Sequence, residues 1–375
     1  MGLSVPLYPY VVGRHFLLFA ILTIMKKGEA KNDQVLYRKY RPQEFDEVIG
    51  QDQVVKVLQG AVSLGNISHA YLFSGSRGTG KTSLARILAR AIGTSQNDLT
   101  EMDAASNRGI DEIREIRDAV NTLPFESKYK VYIMDEVHML TKDAWNALLK
   151  TLEEPPAHVV FILATTELEK VPETVISRCQ TFHFKKPNLA VLKDFALNIA
   201  KKEGATLEPE AGELVALLAD GAFRDAHGIL EKVLTSTSDK KITRAEVEVV
   251  TGAPKAELVK AILEAIVEKN LEKGMQAVGQ ASSENAEMKL FAKLILERLR
   301  FLFLIRLKAG MDQEIAKQVS EDDFKFLKDL ASKAGPDLTA ETLVKFIEAY
   351  ENSGRTSIPE LALEIALAES IKVVS

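Results

Sequence analysis

Between Asp33 and Pro187 short apolar runs alternate with amphipathic stretches, the pattern of strands buried between helices. Three runs are compact enough for central strands: "AYLFSG" (70–75), "KVYIMDE" (130–136) and "VVFILATT" (159–166). Between them, "KTSLARILARAI" (81–92), "GIDEIREIRDAV" (109–120) and "KDAWNALLKTLEE" (142–154) carry apolar residues at helical spacing. Glu-Glu-Pro-Pro at 153–156 stops the last of these helices. The expected architecture here is an α/β domain built on a parallel sheet. After Pro187 the strand signal disappears. Residues 188–250 read as three or four short helices, "TGAP" (251–254) as a hinge, and the remainder of the chain as helical. In "EMKLFAKLILERLRFLFLIRLKAG" (287–310) the apolar content exceeds one stripe, which predicts a helix buried on several sides. The expected organisation is a leader over 1–30, an α/β domain over 31–187, a small helical domain over 188–252 and an all-helical domain over 253–375.

Composition changes this picture little. A chain of 375 residues is long for one core, and 46% hydrophobic with 27% charged residues is ordinary for a soluble protein. The net charge of −5 supplies no whole-molecule basic field. Contact with nucleic acid then has to come from a local patch, or from an assembly that gathers several copies of one. A single cysteine, Cys179, excludes an internal disulfide and a Cys-rich zinc site, and suits a reducing cytoplasm.

The amino terminus reads differently from the rest. "FLLFAILTI" (16–24) is an apolar run of nine residues, Thr23 among them, far short of the roughly 20 that cross a bilayer. It also lacks the basic start and small-residue cleavage site of a signal peptide. "MKKGEAKND", starting at Met25, has the look of a natural polar amino terminus. The first residues therefore read as a disordered leader or a mis-chosen start, with a membrane or partner anchor as the alternative.

The chemistry begins at "GSRGTGKT" (75–82), which fits G-x-x-x-x-G-K-[ST] and sits between a predicted strand and a predicted helix. Gly75, Gly78 and Gly80 let consecutive backbone N–H groups face a phosphate, and the helix N-terminus adds positive potential. Lys81 reaches the terminal phosphates, and the Thr82 hydroxyl can take a place on Mg²⁺. "VYIMDEVH" (131–138) then ends a buried strand in two acids at the sheet's carboxyl edge, where α/β proteins bind ligands. Asp135 is suited to hold Mg²⁺, and Glu136 to orient or deprotonate an attacking water. Two acids in register with a phosphate loop point to ATP hydrolysis. His138 is a candidate ligand or base, with a structural role as the simpler reading. In "ILATTE" (162–167) a threonine hydroxyl could sense the γ-phosphate or the water, or both threonines could simply end a strand. In "SRC" (177–179) nothing activates the Cys179 thiol, so it reads as packing. Arg178 reads as the group that a neighbouring subunit's γ-phosphate would meet.

Taken with "QVLYRKYRPQEFDEVIGQ" (34–51), "DEVHML", "NALLKTLEEPP", "FILATTE" and "SRC", the chain resembles the gamma/tau family of bacterial DNA polymerase III subunits. These are the ATPases of the sliding-clamp loader. The likeness runs from about residue 34 to "FRDA" (223–226), and more loosely beyond. It implies an AAA+ fold: a P-loop α/β domain, a small helical lid and an all-α collar that holds subunits in a ring. It implies ATP and Mg²⁺ as ligands, held by Gly75, Ser76, Arg77, Gly78, Thr79, Gly80, Lys81, Thr82 and Ser83, with Thr82 and Asp135 on the metal. Tyr40, Pro42, Val48 and Ile49 would wall the adenine pocket. Arg178 would act in trans on the neighbouring site, Arg224 would reach the nucleotide from the lid, and Thr166 (or Thr165) would be the first sensor. "DAASNRGIDEIRE" (103–115) would turn Asn107, Arg108, Gly109 and a helix start toward DNA, against a plainer reading in which Ile110, Ile113 and Ile116 pack a solvated helix inward.

The implied role is a clamp-loading ATPase within the polymerase holoenzyme, with no polymerase chemistry of its own. Its implied partners are delta- and delta-prime-type loader subunits, copies of itself, the sliding clamp and primer–template DNA, in the cytoplasm and away from membranes. Two departures stand out. The family's four-cysteine zinc module is missing, since "ARAIGTSQNDLTEMDAAS" (89–106) runs through without a cysteine. The chain also ends after the expected collar, so coupling to polymerase and helicase is not implied. The rival readings are a branch-migration or helicase motor on the same core, and a nucleotide-gated scaffold that barely hydrolyses.

Overall fold

The computed structural model describes residues 35–237, 240–307, 310–335 and 338–371. The leader expected over 1–30 lies outside the described residues. Five parallel strands form one sheet in the order β2–β3–β4–β1–β5: Ala70–Ser74 (β1), Leu99–Asp103 (β2), Lys130–Asp135 (β3), Val159–Thr165 (β4) and Gln180–His183 (β5). β1 and β4 are buried along their whole length, which is why their sequences are unbroken apolar runs. The edge strands differ. β2 ("LTEMD") and β5 ("QTFH") are largely open to solvent. Helices Lys81–Ala91, Ile110–Ala119 and Lys142–Glu153 pack on the sheet, as their apolar spacing predicts. One face of the sheet centres on Leu72, Phe161 and Trp145, the other on Phe73, Ile162 and Leu84. Each such side chain contributes about 1.5–3 kcal/mol on burial.

From Leu189 onward the chain is helical, with one correction to the sequence reading. Thr206–Leu207 and Lys241–Ile242 pair as a two-residue parallel ribbon. Strands that short leave no alternation to read. Helices Leu189–Lys202, Pro209–Leu218, Phe223–Ser236 and Arg244–Thr251 come first, then seven more between Ala256 and Ser370 among the described residues. The helix Met288–Arg306 is buried on several sides, with Phe291, Leu294, Ile295, Leu299 and Phe301 all inside. At "TGAP", Gly252 closes a helix at φ +69° and Ala253 is buried. The helices on either side of this turn share one apolar core.

A buried ionic cluster crosses the same junction. The Arg298 guanidinium donates to Glu213 and, at 3.2 Å, to Asp323. Lys260 reaches Asp323 at 2.7 Å, and the Ser320 N–H donates to Glu213 at 2.9 Å. The carboxylates come from both helical groups, so the helices before and after Gly252 are tied by charge as well as by packing. Among the described residues no helix is long and apolar enough to cross a membrane.

Candidate functional site

The loop after β1 and the carboxyl ends of β2 and β3 open into a cleft of about 940 Å³ between the sheet and the first helical group. Arg77 to Ser83, Tyr40, Pro42, Val48, Ile49, Asp135, Glu136 and Arg224 all line it. Gly75 and Ser76 form the base of the loop behind that lining. The loop's geometry explains its glycines. A Cβ on Gly78, at φ +74°, would sit 2.7 Å from the Cβ of Ala222. Gly80, at φ +102°, starts the helix, and a Cβ there would meet nothing within 4 Å. That side of the loop is open space at the N-terminus of a helix, which is where an anion fits.

Lys81 is 6% exposed, and its Nζ donates to the carbonyls of Gly75 (2.7 Å) and Ser76 (2.9 Å). Burial lowers its pKa from the ordinary lysine value, while the charges of Glu136 and Asp135 pull the other way. The Thr82 hydroxyl donates to Asp135 Oδ2 at 2.6 Å, so one hydroxyl and one carboxylate are already paired where a divalent cation could sit. Glu136 holds a left-handed backbone, φ +50° and ψ +44°, uncommon outside glycine and costing about 1–2 kcal/mol. Its Oε2 accepts from the Thr166 hydroxyl at 2.9 Å.

This separates the two threonines. Thr165 is fully buried, and its hydroxyl engages His138 (3.1 Å) and the Glu167 N–H (3.0 Å). Thr166 is the one that touches the acid. Successive residues leave a strand on opposite faces, which is why adjacent threonines meet different groups.

The helix Phe223–Ser236 is joined directly to the loop, because the Phe223 N–H donates to the Gly78 carbonyl at 3.0 Å. Arg224 stacks over the Tyr37 ring, 5.1 Å from its centroid. Tyr40 lies parallel to His227, with ring centroids 6.3 Å apart, and donates its hydroxyl to Glu203. The sequence reading did not find the wall opposite: Phe195, Asn198, Ile199 and Lys202. These four share one face of a helix (spacing three, four and seven), but spacing alone does not say which helix covers a cleft.

Burial pushes the His227 imidazole down to about 4, against the favourable Nδ1–H donation to the Phe223 carbonyl. Between pH 6.5 and 4 the unfolded chain therefore binds a proton that the folded chain refuses. Stability is expected to fall as pH drops through that window, by up to about 3 kcal/mol from this residue. His227→Phe should flatten the dependence of the urea midpoint on pH there; an unchanged slope would assign it to other groups.

Arg178 and the segment 107–109 lie apart from the cleft. Arg178 Nη2 donates to Glu153 at 2.7 Å and Nη1 to the Thr174 carbonyl at 2.5 Å, leaving the side chain one-third exposed. Burial pushes the neighbouring Cys179 thiol up to about 12, so it is packing and not a nucleophile. Gly109 is the N-cap of Ile110–Ala119, whose Ile113 and Ile116 are buried as the amphipathic reading expects. Asn107 is tied back to the Asp103 carbonyl at 3.1 Å, and the Arg108 carbonyl accepts from the Thr141 N–H. Asp111 and Glu112 occupy the first turn.

The sheet order, the phosphate loop and the helical cap joined to it define an AAA+ P-loop protein. Its fold is similar to that of the Thermotoga maritima RuvB Holliday junction branch migration motor, with a TM-score of 0.50 and 23% identity over 69% of this chain and 91% of that one. A likeness at that identity concerns the fold alone. By sequence, the chain belongs to the DNA polymerase III gamma/tau subunit family. It is 35% identical to DNA polymerase III subunit gamma of Buchnera aphidicola over 340 residues, 84% of this chain and 92% of that protein. It is 35% identical to subunit tau of Bacillus subtilis over 362 residues, 90% of this chain but 63% of that protein's length. A family model described as DNA polymerase III, delta subunit, matches residues 50–109 and 95–188.

Proposed function

We propose that this chain is the ATP-driven motor subunit of a sliding-clamp loader, working in the cytoplasm within a ring of loader subunits. The observation that carries this reading is the split of the machinery. Lys81, Thr82, Asp135 and Glu136 line a single cleft, with Thr166 bonded to Glu136, while Arg178 is held on the surface outside it. An arginine so held is available to a neighbour.

In this reading the loop from Gly75 to Ser83 binds the phosphates through backbone N–H groups, and Lys81 adds its charge. Thr82 and Asp135 hold Mg²⁺, which neutralises charge on the phosphate oxygens. Glu136 orients and deprotonates the attacking water, and Thr166 keeps its carboxylate in place. Arg224 reads the nucleotide from the lid, through the helix hydrogen-bonded to Gly78. Tyr40, Pro42, Val48 and Ile49 form the base end of the cleft. The helices before and after "TGAP" act as lid (188–252) and collar (253–375), and the shared core and buried ionic cluster support their moving together. Binding ATP can favour clamp opening only as far as it binds the clamp-gripping state more tightly. Primer–template DNA meets Asn107, Arg108 and Gly109, where acids in the first turn (Asp111, Glu112) limit affinity and favour contact only when several copies line one channel. Delta- and delta-prime-type subunits and further copies of this chain complete the ring.

The test is clamp transfer. The full chain, its companion subunits, the clamp and a primed circular DNA should give clamp–DNA complexes only when ATP and Mg²⁺ are present. Chelating Mg²⁺ should abolish both transfer and turnover. Vigorous DNA-stimulated turnover with no clamp transfer would instead favour a motor that moves along DNA.

A further inference from the structure

His138 has no part in the chemistry above, yet it sits at its centre. Its side chain is 6% exposed and touches three groups. Nδ1 lies 3.1 Å from Thr165 Oγ1 and 3.4 Å from Glu136 Oε2, and Nε2 lies 3.2 Å from Glu167 Oε1. The hydrogen-bond roles can be assigned. Thr165 Oγ1 already accepts the Glu167 N–H, so its own proton is free for Nδ1. Nε2–H then donates to Glu167, a carboxylate held low by the hydrogen bond from Lys170 at 2.6 Å. Every polar atom of the ring is satisfied without a ligand or a base role.

The ring thus fixes the turn from Thr165 to Glu167. That turn carries Thr166, whose hydroxyl and N–H both point at Glu136 Oε2. Glu136 is therefore aimed from its strained backbone at one end and from the His138 cluster at the other. We infer that His138 is a positioning residue for hydrolysis: through the Thr165–Glu167 turn it holds Glu136 where the carboxylate meets the attacking water. This rests on the proposed role of Glu136.

The experiment measures single-turnover ATP hydrolysis and binding of a non-hydrolysable ATP analogue, using the full chain assembled with its companion subunits, clamp and primed DNA. His138→Phe, which fills the space without polar contacts, should slow hydrolysis about tenfold or more while analogue affinity stays within about twofold. His138→Asn, which puts an amide near the Nδ1 position, should recover part of the loss. In a Glu136→Gln chain, already slow, His138→Phe should change nothing further. If Glu136→Gln is slow but both His138 variants hydrolyse at the parent rate, His138 positions nothing and the inference alone fails. It also fails if His138→Asn loses analogue affinity as much as hydrolysis, which would make the residue merely structural. If Glu136→Gln hydrolyses at the parent rate, the proposed role of Glu136 fails and this inference falls with it. Sedimentation confirms that each variant assembles; should His138→Phe not assemble, the Asn variant carries the comparison, with partial loss expected.

Discussion

Glu136→Gln is expected to bind ATP about as tightly as the parent chain and to turn it over about a thousandfold more slowly, within the usual range for losing a general base. The substitution keeps the shape of the side chain and an oxygen that can accept from Thr166 (2.9 Å in the native pair), so the turn at the end of β4 should survive. It removes the negative charge and with it the capacity to take a proton. In the proposed mechanism phosphate binding rests on other groups: the backbone of the loop, Lys81 and the Thr82–Asp135 pair. Affinity and hydrolysis should therefore separate. Lys81→Ala is expected to give a different profile, because in that mechanism the buried amine is the charge that meets the phosphates, and both quantities should fall. Equilibrium binding of an ATP analogue beside single-turnover hydrolysis distinguishes them. A Glu136→Gln chain that hydrolyses within tenfold of the parent would move the water-handling role to another group, with Asp135 next in line.

How much of this was legible in the sequence depends on how the residues are buried. β1, β3 and β4 lie inside the sheet, so their apolar runs announced them, and the phosphate loop and the Asp135–Glu136 pair sit at their ends. β2 and β5 are edge strands open to solvent, and "LTEMD" and "QTFH" give no strong strand signal. The loop glycines carry a pattern because the backbone itself binds there. By contrast Phe195, Asn198, Ile199 and Lys202 line the cleft through the packing of one helix against the rest, which no local pattern encodes. Thr165 and Thr166 show the same limit at the scale of one residue. Thr165 is the last residue of β4 and Thr166 the first beyond it, and only the packing of the folded sheet decides which one meets Glu136. His138 read from sequence as a lone histidine, since its partners lie at Thr165 and Glu167, on another strand end. Cys179 went the other way: with no activating neighbour in the sequence it read as packing, and its burial agrees.

In the proposed ring, one chain's arginine completes another chain's site. Arg178 supports it by position: paired with Glu153 and the Thr174 carbonyl, it presents a guanidinium at the surface outside its own cleft. An arginine supplied across an interface is worth about 10³–10⁵ in turnover, so its loss should be as severe as the loss of Lys81. The two losses nevertheless fall on different sites. Lys81→Ala disables the site of its own chain and keeps a working Arg178, whereas Arg178→Ala keeps its own site and fails its neighbour. The direct measurement is ATP turnover of each variant alone and of an equimolar mixture, assembled with companion subunits, clamp and primed DNA. Turnover in the mixture that neither variant shows alone is the predicted result. A mixture as inactive as its components, with both variants still assembling, would mean that Arg178 works within its own chain or only holds Glu153, and would contradict the ring mechanism.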